Sequence, residues 1–344
     1  MLINILNTKE LSFLSTFILI SIIGLEAKID SENREIDIHN LQESISRIDT
    51  TYDFVWDDDS ARWEKSSRIL LHYQDENSLI LRINQHWSDL YTDWENSERL
   101  YIKYNLKNQI TQKILQQWDS EAGMWENQRL SRLIYDQGQN TDIYIYLWNR
   151  NDNKWLENIH VAVNYTIRGR KASLVTSVFA EKKGGWEKHE KINYYYSGNQ
   201  NPHRSIILYW NDKQNSWEKN GRYITKYNSA GQIIDRTLAI WNIIDSKWRN
   251  NIKYIYNWEK DRKISEIKKV WSNIKSEWVS SMKTEYQYNP HMQVKIEENY
   301  KFDREHKKWN LIDRVMRSYK EADLNLKNKS NYNYNNIIPI MGEI

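Results

Sequence analysis

Residues 210–233 read WNDKQNSWEKNGRYITKYNSAGQI. Trp210 and Trp217 stand seven apart, and Tyr227 follows ten residues after the second of them. Between the tryptophans, Asn211 opens and Asn215 closes a segment that suits a four-residue hairpin loop ending in a left-handed residue. After the tyrosine, Asn228-Ser229-Ala230-Gly231 suits a type I turn with glycine at the left-handed position. Seven-residue spacing also fits a helical heptad, but the flanking Tyr, Trp and Ile and alternations such as Tyr254-Ile255-Tyr256 fit a pleated strand. The stretch therefore reads as a β-hairpin whose paired tryptophans are cross-strand neighbours about 5 Å apart.

The same hairpin recurs along the chain. Trp56/Trp63, Trp87/Trp94, Trp118/Trp125, Trp148/Trp155, Trp241/Trp248 and Trp271/Trp278 repeat the pair, and Phe179/Trp186 and Phe302/Trp309 fill the gaps in the series. Tyr73, Tyr104, Tyr135, Tyr165, Tyr196, Trp258, Tyr288 and Tyr319 repeat the later aromatic. The expected fold is all-β: an antiparallel hairpin meander of about nine 31-residue repeats, elongated or coiled into a superhelix. Strict alternation puts Trp217, Tyr223 and Tyr227 on one face and Glu218, Asn220, Arg222, Ile224 and Lys226 on the other. Left-handed ends are expected at Asn77, Asn108, Gly169 and Asp323, with Gln139, Gln200, Arg262 and Met292 in the other copies.

The chain has 344 residues, 49 Lys+Arg against 46 Asp+Glu, and no cysteine. That excludes a disulfide scaffold, a thiolate metal site and a cysteine nucleophile. A formal charge of +3 gives no ground for expecting a nucleic-acid partner. Residues 11–25, LSFLSTFILISIIGL, have the length of a signal-peptide core, so 1–27 is expected to be a signal peptide. No membrane span is expected after its cleavage. Residues 28–50 then read as an N-terminal linker or cap, 51–320 as the nine-repeat β domain, and 321–344 as a degenerate repeat and C-terminal tail. Residues 51–100 carry 11 acidic and 5 basic side chains, and residues 301–329 carry 9 basic and 5 acidic. On a rod this gradient suggests head-to-tail self-association.

The unit Trp-Asp/Asn-x5-Trp-Glu followed by Tyr-x-Tyr-Asn/Asp-x-x-Gly resembles the tandem Trp/YD-type repeats of secreted bacterial surface proteins. More distantly it is similar to RHS/YD repeats, whose hairpins wind into a sheet. Trp210-Asn211, Trp217-Glu218 and Tyr227-Asn228 with Gly231 carry the likeness best. The resemblance implies a location, secreted or at the surface of a bacterium, more than a chemistry.

No catalytic, cofactor-binding or metal-binding residue is nominated. His39, His72, His86, His160, His189, His203, His291 and His306 share no repeat position. The Asp57-Asp58-Asp59 run reads as a solvated turn. Glu64, Glu95, Glu126, Glu187 and Glu218, one per hairpin, read as ion-pairing groups. A membrane barrel is disfavoured by Glu98, Arg129, Lys188 and Lys219, assigned to the tryptophan face, and by Arg99, Arg132 and Arg222, assigned to the other. The expectation is an exported, non-enzymatic scaffold binding a protein or glycan partner, without cofactor. The alternative is a carbohydrate-binding module using an exposed Trp/Tyr ladder.

Overall fold

The computed structural model describes residues 47–75, 78–198 and 201–323. The expected signal peptide, most of the linker, His39, Asn77, Gln200 and all but the start of the C-terminal tail lie outside them. The described chain is an antiparallel meander of 18 strands, from β1 (Arg47–Asp57) and β2 (Arg62–Tyr73) to β17 (Val294–Asp303) and β18 (Lys308–Asp323). Each strand pairs with the next in chain order.

The sheet is neither a rod nor an open superhelix: β1 also pairs with β18, from Arg47↔Asp323 to Val55↔Val315, and closes a barrel. Among the described residues the sheet keeps no open edge. An open sheet would leave two unpaired edges, and closure removes both. The register shows how the ends meet. Between hairpins, the residue nine after the second Trp faces the residue six before the next, as in Lys103↔Gln112 and Gln287↔Ile296. At the seam Ser318 faces Tyr52, four before Trp56, a slip of two residues that leaves each side chain on its own face. Eighteen strands about 4.8 Å apart and tilted about 40° enclose a ring of roughly 18 Å radius, wide enough for an aqueous lumen.

A bulge in every hairpin corrects the expected faces. In the hairpin of β11 (Pro202–Asn211) and β12 (Ser216–Tyr227), Trp210 faces Trp217 and Leu208 faces Lys219, but Ile207 faces Gly221. Asn220 is the extra residue, and it reverses the alternation beyond it. Arg222, Ile224 and Lys226 therefore share the face of Trp217, while Tyr223 and Tyr227 share the opposite face, with Glu218. The same shift falls three residues after the second aromatic in each hairpin, between Asn84 and Gln85, Leu115 and Gln116, or Leu238 and Ala239 on the facing strand. By the same count Arg99 and Arg132 belong to the tryptophan face, and Glu98 and Arg129 to the other. On β12 the tryptophan-face residues Lys219, Ile224 and Lys226 are exposed, whereas Gly221, Tyr223, Thr225 and Tyr227 are covered. This pattern makes the tyrosine face the lumenal one.

Each hairpin is fastened at both ends. At the turn, nine aromatic pairs pack edge to face with ring centroids between 4.9 Å (Trp148–Trp155) and 5.4 Å (Trp56–Trp63). Ala61, Thr92, Gly123, Asn153, Gly184, Asn215, Ser246, Ser276 and Lys307 end these loops left-handed. At the open end, the Tyr227 hydroxyl donates to the Pro202 carbonyl at 3.0 Å, and Tyr104, Tyr135, Tyr165, Tyr196, Tyr288 and Tyr319 repeat the bond. Trp258 makes it with its indole N–H, to Ile233 at 2.7 Å.

The turns at the tyrosine end are also tied to one another. Gln109 Nε2 donates to the Gly138 carbonyl at 3.0 Å, Arg170 Nη1 to Gly198 at 2.7 Å and Gln232 Nε2 to Lys260 at 2.8 Å. The left-handed residues there include Asn108, Gly169, Gly231 and Met292, as expected, but Gly138, Gly198 and Lys260 take the place of Gln139, Gln200 and Arg262. Asp323 lies in β18 rather than at a turn.

Apolar packing occurs on both faces. Ile143, Ile145, Val161, Val163 and Leu174 form a cluster on the tyrosine face. Leu81, Tyr101, Ile114 and Leu130 form one on the tryptophan face. Both draw on neighbouring strands rather than crossing the ring.

Candidate binding face

The tryptophan face is where the repeat concentrates its chemistry. Most of its tryptophans are half-buried, and Trp125 is buried. Their ring faces are not left open. Lys65 Nζ lies 3.7 Å from the Trp87 ring centre, Lys188 is 4.2 Å from Trp210 and Lys219 is 4.2 Å from Trp241. Arg68, Arg99 and Arg222 lie over Trp94, Trp125 and Trp248 at 4.9, 4.6 and 4.9 Å. The cations come from the second and fifth positions after the second Trp, and each covers a ring of the following hairpin. Such contacts are worth about 0.5–2 kcal/mol and bind neighbouring hairpins together. Where the fifth position is not cationic, Leu130 packs against Trp155, and the His160 ring lies 5.6 Å from Trp186.

Several charges on this face are paired with a carboxylate. Lys253 pairs with Asp235 at 2.9 Å, Lys283 with Glu285 at 2.9 Å and Arg314 with Glu298 at 2.6 Å. His160 Nε2 is 2.8 Å from Asp142 Oδ1, and its ring stacks on Tyr144 at 4.4 Å. Arg99 is buried, with Nε donating to Gln116 Oε1 at 2.6 Å, and burial holds its guanidinium down at about 10.

An exception lies on β10 (Gly185–Tyr196), β11 and β12. Their tryptophan face carries Lys188, Lys191, Arg204, Lys219, Arg222 and Lys226 and no carboxylate. Among the described residues none of these six is in an ion pair. Arg204 lies 4.3 Å from the Tyr195 ring centre. The Nε atoms of Arg204 and Arg222 are buried without a hydrogen-bond partner. Burial and the Arg204 guanidinium push Arg222 below its usual range. The repeat hid this patch from sequence reading. Lys188, Lys219 and Arg222 served there only as evidence against a bilayer, and the usable signal was the pair of positions two and five after the second Trp.

The histidines, scattered in sequence, do not come together. His72 is 3% exposed, neither ring nitrogen has a partner among the described residues, and burial lowers its pKa to about 4. His86 lies 3.0 Å from Glu95, and His306 2.8 Å from Asp303. His189 is the bulge residue of its hairpin, its pKa lowered by burial. His203 and His291 join no cluster, and no group of metal-ligating side chains occurs among the described residues. Asp57 caps its own turn by accepting from the Asp59 N–H at 3.2 Å and the Ser60 N–H at 3.3 Å. The glutamates after the second Trp serve their own turns or the next one. Glu64 binds Arg62 at 2.8 Å, Glu126 binds Arg150 at 3.1 Å, Glu187 pairs with Lys183, and Glu218 accepts from Asn211 at 2.5 Å.

No known family matches this sequence, and no curated protein matches it. Among solved structures, a DUF3836 family protein from Bacteroides vulgatus is 18% identical with a TM-score of 0.25, over 28% of this chain and 98% of that one. A porin-like protein from Bacteroides uniformis is 9% identical with a TM-score of 0.36, over 81% of this chain and 98% of that one. A chain of the Photorhabdus luminescens Tc holotoxin pore is 11% identical with a TM-score of 0.25, over 75% of this chain and 15% of that one.

Proposed function

We propose that this chain is an exported, non-enzymatic scaffold that binds a protein or glycan partner outside the cell or at its surface. One observation supports this reading above the rest. Nine equivalent hairpins are each closed by a tyrosine–carbonyl or indole–carbonyl contact or an aromatic pair and fastened to one another by cation–ring and turn–turn contacts, so the recurring side chains are spent on holding the barrel together. Acid–base catalysis needs convergent groups with displaced proton affinities in one cleft. Here His72, His86, His160 and His306 lie in separate hairpins. The tryptophan ladder is not the platform for neutral sugars, because stacking requires free ring faces and lysine or arginine covers many of them. A bilayer is a poor environment for this barrel: Lys219 and Arg222 lie mid-strand on one face and Arg236 and Glu266 on the other. Each such charge costs about 2–4 kcal/mol on a lipid-facing surface at the midplane.

The test is expression of the full chain in a bacterium, with fractionation and mass spectrometry of the N-terminus. The expected product is a soluble extracellular or envelope protein starting near Lys28, able to capture envelope polymers or proteins. Retention in the cytosol with an intact N-terminus, or sustained turnover of a generic substrate, would overturn the reading.

A further inference from the structure

We propose that the tryptophan face of β10–β12 binds an acidic polysaccharide, whose carboxylate or sulfate groups sit between Lys191, Arg204 and Arg222. The inference rests on the binding-scaffold reading above and names its ligand class.

Six cations on three adjacent strands repel one another, and no carboxylate of those strands shares their face. Asp235, which faces Lys226 across β12 and β13, is taken up by Lys253 at 2.9 Å, and Glu285 and Glu298 pair with Lys283 and Arg314; no carboxylate on β10, β11 or β12 does the same for Lys188, Lys191, Arg204, Lys219 and Arg222. The rings beneath Lys188, Arg204, Lys219 and Arg222 hold these side chains in place without neutralising them. Arg204 and Arg222 come close because each opposes a neighbour of the other: Arg204 faces Ile224, and Arg222 faces Ile206. Their buried, unbonded Nε atoms are donors with no acceptor in the chain. A planar guanidinium presents its donors in a fork that matches carboxylate and sulfate oxygens. An anion at this point removes the repulsion by accepting from the guanidinium groups.

The spacing favours a linear polymer over a single ion. Lys188 and Lys219 are the second residues after their second Trp, and Lys191 and Arg222 are the fifth. Equivalent positions on successive hairpins are two strands apart, roughly 10 Å. That is the scale of a disaccharide unit, so a chain with one acidic group per disaccharide can meet a cation on each of these two successive hairpins. Single-stranded nucleic acid has a similar charge density but relies on base stacking, and the indole faces here are covered. An acidic glycan needs only the charges and their spacing.

The test titrates the full chain with polygalacturonate, dextran sulfate, neutral dextran, a single-stranded oligonucleotide and phosphatidylglycerol vesicles at two salt concentrations. The expected result is salt-sensitive binding to the two acidic glycans and none to neutral dextran. The double variant Arg204→Gln/Arg222→Gln should lose about tenfold or more in affinity, given the strength of charge-assisted hydrogen bonds. The control Lys283→Gln, on the same face but paired with Glu285, should bind as the parent does. If the arginine variant fails to fold, Lys188→Gln/Lys219→Gln, at two exposed positions, reads the same patch and should also lose affinity. Unchanged binding by the folded variants, equal binding of neutral dextran, or tighter binding of the oligonucleotide or vesicles would overturn the proposal. Failure of both acidic glycans to bind also overturns it, while export and capture of another partner would still be read by the fractionation experiment.

Discussion

The Arg317 guanidinium of β18 stands 3.3 Å from the Asp53 carboxylate of β1, and its other arm binds Glu297 of β17 at 2.9 Å. One cation thus holds two acids at the seam where the last strand meets the first. At neighbouring positions of other hairpins the tyrosine face carries apolar residues such as Ile207, Leu238 and Ile102. Asp53 is raised above the usual carboxylate range, first by burial, against the opposing pull of Arg317. Removing Arg317 leaves two carboxylates facing each other. Arg317→Ala should destabilise the barrel by about 2 kcal/mol at pH 7. The penalty should shrink toward pH 4, where the raised Asp53 binds its proton in the folded state. Denaturant titrations at the two pH values check this, and an equal penalty at both would contradict it.

His72 gives a pH dependence of its own. Unfolded, its imidazole takes a proton near 6.5; folded, it resists protonation down to about 4. The unfolded chain therefore binds more protons in that window, and stability falls as pH drops through it, by up to about 3 kcal/mol. His72→Leu should flatten the curve between pH 7 and 4. A proton-NMR titration should show an imidazole that does not titrate above pH 5.

The opposite sign holds at alkaline pH. Burial lifts Tyr104 and Tyr256 to about 12. Unfolded tyrosines ionise near 10, so between 10 and 12 the folded chain holds protons that the unfolded chain has lost. Stability should fall as pH rises through this range. Ultraviolet difference titration at pH 11 should count fewer phenolates than the composition provides, with the remainder appearing on unfolding.

The tyrosine staples should act independently. Tyr227→Phe removes one hydrogen bond to the Pro202 carbonyl and should cost about 1 kcal/mol. Tyr135→Phe should cost about the same. Because the two hairpins share no contact, the double variant should cost close to the sum. Chemical denaturation of the three variants checks additivity.

Trp217→Ala should cost about 2–3 kcal/mol, below the full cost of emptying a buried aromatic site, because Trp217 is only half-buried against Trp210. Trp210→Phe should cost much less, since Phe already fills the first position of the pair in Phe179/Trp186 and Phe302/Trp309. Calorimetric melting of both variants provides the measurement.

The hairpins were legible because their signals are local. Tryptophan pairs seven apart and Gly123, Asn153, Gly184 and Asn215 at the loop ends fix turn and register within a few residues. The bulge was not legible. Its position holds Ser66, Ser97 and Ser281, Asn158, Asn220 and Asn251, but also Gln128, His189 and Ile312, and a preference for Ser and Asn does not by itself distinguish a bulge from an ordinary polar strand position. One missed residue per hairpin was enough to put Tyr223 and Arg222 on the wrong sides. Closure was non-local, but its trace was present in the acidic early repeats and basic late ones. On a rod they suggest attraction between molecules; in the ring they are adjacent strands of one molecule, and Asp53 with Arg317 is their point of contact. The cationic patch stayed hidden because Lys191 and Arg204 look ordinary until the register brings Arg204 beside Arg222 and puts Lys191 on the same face two strands away.

Closing the meander changes how such a chain comes apart. A linear array of repeats frays from its ends, where a terminal unit has only one neighbour to lose. Here every hairpin has two, so the first to leave must give up both interfaces at once. Where the gene begins and ends is then mechanically incidental. Joining the ends by a linker and cutting at Ser229–Ala230, in a turn far from the seam, would give a molecule with the same ring and a relocated seam.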